Sequence, residues 1–416
     1  MNIPMLLPFL QSLTEKWTGG LRVVNRDRHG HEPDYSGYGQ TIVGQRRDQI
    51  LVKFIYGNST EDVVVTSTGT GADSNSNSRG VVSSGAGVGS CIMRSKRFIN
   101  YRPAHDIHSV LSAYFPSTNI DANTYQYAGL RTAEDRLMFG RSGTTFGILY
   151  RNNSTDEFVA QSAWNVDKCD GTGISKFTLD PTKLNQYRFM FGWLGVAPII
   201  CQVYSGYRDG WITCHVFDGT NTTDAVSFSN PSFNIAIEAG RTAGAGAVTV
   251  GSGSWNAGYT AGVHSHAGHR IFAGELPTKT LVAGVETYLG TFENVSIFQG
   301  KPNTVQAEAV FLSFVTDGVK SVTFRGYSNA TLSTSYNAVP VSTANSIIAA
   351  DTSSTSFSGG KLEFPISLAK VDSRAIDVGA GHFHLELQPG EKFTITAQSA
   401  NASDVSMSAR WEEYFS

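Results

Sequence analysis

Short runs in which apolar and polar residues alternate recur along most of the chain. Between residues 91 and 290 they include HSVLSAYF, TYQYAGL, RLMFG, TFGILYR, NQYRFMFGWLG, PIICQVY, WITCHVF and AGAVTVG. A period of two sends successive side chains to opposite faces of a strand, so each run reads as a strand with one buried face. Clusters of Gly, Asn, Asp, Ser or Pro bound the runs, and no amphipathic helical pattern lies between them. The pattern predicts an all-β chain whose central part, residues 91–290, is an antiparallel β-sandwich of jelly-roll or lectin-like kind. Residues 291–416 repeat the style in ENVSIFQG, EAVFLSFVT, SVTFRGYS, KLEFPISL, FHLELQPG, KFTITAQS and VSMSARWEEYF. Within LELQPGEKFTITA a Pro-Gly turn separates two strands, and a second, smaller β-sandwich is expected. Only 4–17 and 181–186 suggest helix.

The start of the chain breaks the pattern. Residues 1–60 combine an apolar opening, the polar stretch NRDRHGHEPDYSGYGQT and a strand-like DQILVKFIYG, and they read as an irregular N-terminal arm. The arm would pack on the body or dock on a neighbouring subunit. Its first ten residues lack a basic leader, carry Pro4 and Pro8, and are too few to span a bilayer, so neither a signal peptide nor a membrane span is expected. Residues 61–90 include TSTGTGADSNSNSRGVVSSGAGVGS, which offers little to bury, and are expected to form a Gly/Ser-rich linker.

Two hairpins carry the most local information. In FGRSGTTFGILYRNN, residues 139–153, Gly140, Gly143 and Gly147 flank and form a turn between alternating strands. In PIICQVYSGYRDGWITCHVF, pairing about the centre sets Cys201 opposite Cys214, Ile199 opposite Val216 and Val203 opposite Ile212, all on one face. Cys201 and Cys214 are then either two small apolar thiols in a core or a cross-strand disulfide. The aromatics Tyr204, Tyr207 and Trp211 lie at or near the tip of this hairpin, and Trp255 and Tyr259 are expected in a second, Gly-rich loop. Exposed rings at these places would stack on a sugar or fill a partner's pocket.

Composition narrows the chemistry. Charged residues are 16% of the 416, net charge is −3, and no basic block exceeds three charges, which argues against nucleic-acid binding. The four cysteines, Cys91, Cys169, Cys201 and Cys214, show no C-x-x-C spacing. His264, His266 and His269, then His382, His384 and Glu386, then His105, Asp106 and His108, are the nearest approaches to metal-ligand spacing. Each sits more naturally on a polar loop or solvent-facing strand, so no metal and no cofactor are expected. The adjacent acid pairs Glu134-Asp135 and Glu412-Glu413 would point to opposite faces of a strand rather than across a cleft. Nucleophile elbows, phosphate loops and H-E-x-x-H are missing, and the chain does not read as an enzyme.

Three segments carry a family resemblance: SCIMRSKRFINYRPAHDIHSVLSAYF, YQYAGLRTAEDRLMFGRSGTTFGILYRN and WNVDKCDGTGISKFTLDPTKLNQYRFMFGWLGVAPIICQV. With Asn230-Pro231, GKPN, LQPGEKFTITAQS and RWEEYF, the pattern over residues 91–416 resembles structural proteins of tailed bacteriophages and some large DNA viruses. Ala104 stands where that pattern has Gly, Cys169 and Ile174 stand at usually polar or small positions, and residues 1–90 do not match. The resemblance implies a virion component, such as a tail, baseplate, fibre or capsid-attached protein, assembled in the host cytoplasm. Its partners would be itself, as a homo-oligomer, and other virion proteins. The alternative is an adhesin whose central sandwich recognises a host-surface glycan.

Overall fold

A computed structural model describes residues 46–99, 101, 105–206, 210–260, 269–317, 320–377 and 385–415. Among them there is one 3-10 turn, Gln161–Ala163, and no α-helix; the 181–186 stretch is a turn leading into a strand. No helix of these residues is long and apolar enough to cross a membrane.

The first sandwich contains β1 (Arg46–Lys53), β2 (Val63–Gly69), β3 (Ala72–Asn75), β4 (Gly80–Ser83), β5 (Gly89–Ser95), β6 (Ile107–Ala113), β7 (Thr124–Arg131), β8 (Arg136–Ser142) and β9 (Thr145–Asn152). It continues with β10 (Thr155–Ala160), β11 (Asn185–Phe191), β12 (Ile199–Tyr204), β13 (Trp211–Phe217), β14 (Asn234–Arg241), β15 (Thr249–Ser252) and β16 (Ser254–Thr260). Six strands form one sheet in the order β1-β16-β6-β11-β12-β13, and seven form the facing sheet in the order β10-β9-β8-β7-β14-β5-β2. A small β15-β4-β3 sheet lies beside them.

Alternation explains the core. Tyr187, Phe189 and Phe191 of β11 and Phe139 of β8 point inward, and the Phe139 ring stacks on Phe189 with centroids 5.0 Å apart. Burying a ring of that size removes enough apolar surface from water to contribute about 2–3 kcal/mol. Gly140 and Gly147 face each other in the β8–β9 register, and Gly143 takes the left-handed φ of +60° that its turn requires.

The second sandwich packs a sheet of Glu386–Leu387, His269–Thr280, Asp404–Tyr414, Ala307–Thr316 and Asp372–Asp377 against one of Val339–Pro340, Ile348–Asp351, Thr287–Asn294, Lys392–Ser399, Val322–Ser328 and Lys361–Leu368. Its core centres on Phe292, Phe314, Phe324, Phe393 and Trp411. The all-β class and the two sandwiches are therefore as the alternation predicts.

The segment boundaries differ. Residues 61–90 are not a linker, because β2, β3 and β4 pair there with β5, β4 and β15. Main-chain hydrogen bonding orders them although most of the side chains of β2 and β3 stay exposed. β1, placed in the arm by sequence, pairs along its length with β16. The second sandwich begins at His269 rather than at 291, since that strand pairs with Asp404–Tyr414. Residues 1–45, the rest of the expected arm, lie outside the described residues, and so does the helical suggestion at 4–17.

Candidate functional site

The β12–β13 hairpin forms as its sequence suggests, closed by hydrogen bonds from Ser205 N to Gly210 O and from Gly210 N to Gly206 O, both 3.0 Å. Gly206 and Gly210 hold φ of +115° and +67°, backbone that other residues rarely adopt. Tyr204 and Trp211 sit directly opposite each other, with ring centroids 5.3 Å apart and planes inclined at 58°. Both rings are half-buried, on the outer face of the six-stranded sheet. Tyr207 lies outside the described residues.

A row of polar side chains adjoins the pair. Arg188 of β11 is opposite Gln202 of β12, which is opposite Thr213 of β13. The Arg188 Nε donates to Gln202 Oε1 at 2.6 Å, and Gln202 Nε2 donates to Thr213 Oγ1 at 3.0 Å. The Arg188 guanidinium lies 4.5 Å from the centre of the Trp211 ring and is only 2% exposed. Stacking a desolvated guanidinium on indole contributes about 2 kcal/mol and fixes the ring plane. The result is a braced aromatic surface bordered by an amide and a hydroxyl. Such a surface can take the C–H face of a sugar ring while the border exchanges hydrogen bonds with its hydroxyls.

Sequence reasoning named Tyr204 and Trp211 and missed Arg188. The signal was present, because alternation in NQYRFMF puts Arg188 on the face opposite Tyr187 and Phe189.

Trp255 and Tyr259 are not display residues. Both belong to β16 and are 2% and 3% exposed, and Trp255 packs into the first core. Trp255 packs edge-on against Phe54 at 5.0 Å, and its Nε1 donates to Ser252 Oγ at 2.8 Å. The glycines that made this stretch look like a loop lie within or next to strands: adding a Cβ at Gly251 would put it 2.1 Å from the Tyr114 ring.

Cys201 and Cys214 are free thiols, as are Cys91 and Cys169, and all four are buried. A β-bulge after Cys201 explains the missing bridge. It pairs Cys201 with His215 and leaves Cys214 as the extra residue, its Sγ 3.1 Å from the Cys201 carbonyl oxygen. Val203 faces Ile212 as expected, but Ile199 faces Phe217. Burial pushes both thiols well above their ordinary value, and Cys169 to about 12, so they act as small apolar groups.

The other chemical candidates have structural partners. His264, His266, His382 and His384 lie outside the described residues, and among those described no three His, Cys, Asp or Glu groups are placed to hold a metal. His108 Nε2 lies 3.4 Å from Asp48 Oδ1. Asp135 is buried and accepts bonds from Asn153 N, Ser229 N and Asn230 N at 3.0, 3.1 and 2.9 Å, tying three loops together. Glu413 is fully buried and accepts from Ile347 N at 3.2 Å, while its neighbour Glu412 points the other way and is half-buried.

A polar cleft of about 320 Å³ lies where the two sandwiches meet. Ion pairs cross it from Lys96 to Glu391 at 3.2 Å, from Arg97 to Glu386 at 3.4 Å and from Lys361 to Glu61 at 3.3 Å. Its lining has no aromatic ring.

No protein-family model matches the chain, and no curated protein does. Among solved structures it is similar to a protein of unknown function from Shewanella oneidensis MR-1, at 12% identity and a TM-score of 0.35, over 52% of this chain and 88% of that one. It is similar to lectin II from Ulex europaeus at 8% identity and a TM-score of 0.34, over 52% and 100%. It is also similar to an endo-1,3-β-glucanase from Streptomyces sioyaensis at 11% identity and a TM-score of 0.34, over 51% and 95%.

Proposed function

We propose that the chain is a carbohydrate-binding protein that takes a glycan on the outer face of its six-stranded sheet. The observation that carries this reading is the Tyr204–Trp211 pair, braced by Arg188 and bordered by Gln202 and Thr213. In this reading the indole and phenol faces cover the apolar side of one saccharide ring. Gln202 and Thr213 set its orientation, and the protein acts by binding rather than by catalysis. Glycan-array screening of the full chain, followed by calorimetry, tests it. Trp211→Ala is expected to weaken binding at least tenfold, about 1.4 kcal/mol. The melting temperature should move by only a few degrees, because the ring is half-buried rather than in the core. The reading fails if the wild type retains no glycan, or if the Ala variant binds with unchanged affinity.

A second reading, assembly into a virus particle, is favoured by one feature. The edge strand β1 and the turn after it expose Leu51, Ile55 and Tyr56, each by more than half. Three exposed apolar groups on and just beyond an edge strand suit a subunit contact. In light scattering, a discrete oligomer that falls to monomer in Leu51→Lys/Tyr56→Lys supports it, and a monomeric wild type rejects it.

A further inference from the structure

The outer face of the seven-stranded sheet carries a feature that the Trp211 face does not use. Arg131 of β7, Arg136 of β8 and Arg151 of β9 are directly opposite one another in register, so three guanidinium-bearing side chains stand in one row across adjacent strands. Neighbouring strands lie about 4.8 Å apart, and like charges directly opposite each other destabilise a sheet. A fourth, Arg94 of β5, is opposite Ala236 on the same face.

Two carboxylates offset part of this charge. Glu238 of β14, 1% exposed, accepts from Arg136 at 2.8 Å and from Arg131 at 3.2 Å. Asp156 of β10, at the end of the row, accepts from Arg151 Nη2 at 2.7 Å. Four cations against these two anions leave a local excess of positive charge on a chain whose net charge is −3. Among the described residues Arg94 has no carboxylate partner; its bond is a long one, 3.5 Å, to the Ser95 carbonyl. The Nε of Arg136 is buried without a hydrogen-bond partner. Burial, and behind it the charge of Arg131, lowers the Arg94 guanidinium from its ordinary value. Beside the row, Tyr125 and Tyr127 stack with planes 21° apart and centroids 5.9 Å apart.

We infer that this face is a binding site for an acidic saccharide, one whose sulfate or carboxylate groups answer Arg94, Arg131, Arg136 and Arg151. Guanidinium forks pair with such oxyanions through two parallel hydrogen bonds. Half-buried Tyr125 offers ring surface, backed by the buried Tyr127 ring, and Asp156, 48% exposed, accepts from sugar hydroxyls. A long nucleic acid fits less well, because the basic row is short and the rest of the chain is weakly acidic. The site is on a different sheet from Trp211 and stands whether or not that face binds a neutral sugar.

The test is calorimetry on the full chain at about 0.15 M ionic strength. The probes are a sulfated heparin oligosaccharide, a neutral oligosaccharide of equal length and a single-stranded DNA oligomer of equal charge. The sulfated probe is expected to bind, with an affinity that falls as salt rises. Arg94→Gln should weaken it at least fivefold, and because Arg94 has no carboxylate partner among the described residues the change leaves no buried charge there behind. Arg136→Gln should weaken it further, with circular dichroism reporting whether the fold is kept. Trp211→Ala should leave this binding unchanged, and Arg94→Gln should leave any neutral-glycan binding unchanged, so the two sites fail separately. The inference is overturned if the sulfated probe does not bind, if Arg94→Gln binds it as tightly as wild type, or if DNA binds equally well.

Discussion

Gly140 and Gly147 show how little freedom single positions have. A Cβ on Gly140 would lie 1.9 Å from the Gln126 carbonyl oxygen, and one on Gly147 would lie 2.2 Å from that of Val159. Both obstacles are main chain in a paired strand and cannot rotate away. Gly140→Ala is therefore expected to cost about 2–4 kcal/mol in urea denaturation, the range for forced overpacking with backbone shift. Gly143→Ala meets no contact shorter than 3.4 Å and should cost only about 1–2 kcal/mol, for the left-handed φ. Asp351 makes a different argument. Burial pushes its carboxyl up, but hydrogen bonds from Ser353, Tyr288, Ser354 and Asn337 outweigh that and hold it far below the usual carboxylate range. A depressed folded-state value stabilises the fold at pH above the unfolded value, about 3.9, and that stability is lost as pH falls through the folded value. Asp351→Asn should lower stability at neutral pH by about 1–3 kcal/mol and flatten the acid slope below about pH 4, as read by thermal melts across pH.

At the scale of elements, strands with one buried face were legible, and strands without one were not. The run that became β12 alternates because one face meets a core, and β13 does so up to its bulge, whereas β8, β9 and β11 are buried at four or five consecutive positions, on both faces. β3 exposes all four residues and is held by its ladder to β4 and by hydrogen bonds to Asn58 and the Phe54 carbonyl rather than by burial, so its sequence resembles a linker. The β16 stretch misled in the other direction: its neighbouring glycines signal close approach of side chains, not a loop. Symmetric pairing about the hairpin centre placed Val203 against Ile212 but could not reveal the bulge that shifts the register beyond Gln202. The candidate site was half legible. Two aromatics near a turn can be read locally, whereas Arg188 reaches them only after β11 pairs with β12. The arginine row is less legible still, since only the β7–β8–β9 register brings its members together.

Across the whole molecule, the junction between the sandwiches is polar. Besides the three ion pairs at the cleft, Asn230 Nδ2 donates to Thr304 Oγ1 at 3.1 Å. Partly exposed pairs of this kind contribute about 0–1 kcal/mol each and are screened by salt, unlike the two apolar cores. Raising ionic strength should therefore loosen the junction while both sandwiches stay folded. Small-angle scattering should show a larger radius of gyration with unchanged circular dichroism, and Lys96→Gln/Arg97→Gln should show the same expansion at low salt. An unchanged radius in both experiments would mean that something other than these pairs holds the halves together.

The pairing of β1 with β16 has a consequence for synthesis. The first described strand of this sandwich finds its partner about 200 residues later, and translation at roughly 5–20 residues per second leaves it waiting for tens of seconds. The second sandwich repeats the arrangement, its opening strand His269–Thr280 pairing with Asp404–Tyr414 at the far end. Among the described residues each half is thus clasped by strands near its two ends, and a nascent chain halted before residue 254 leaves the β1 main chain without its β16 partner and Ile50 and Val52, buried in the finished fold, uncovered.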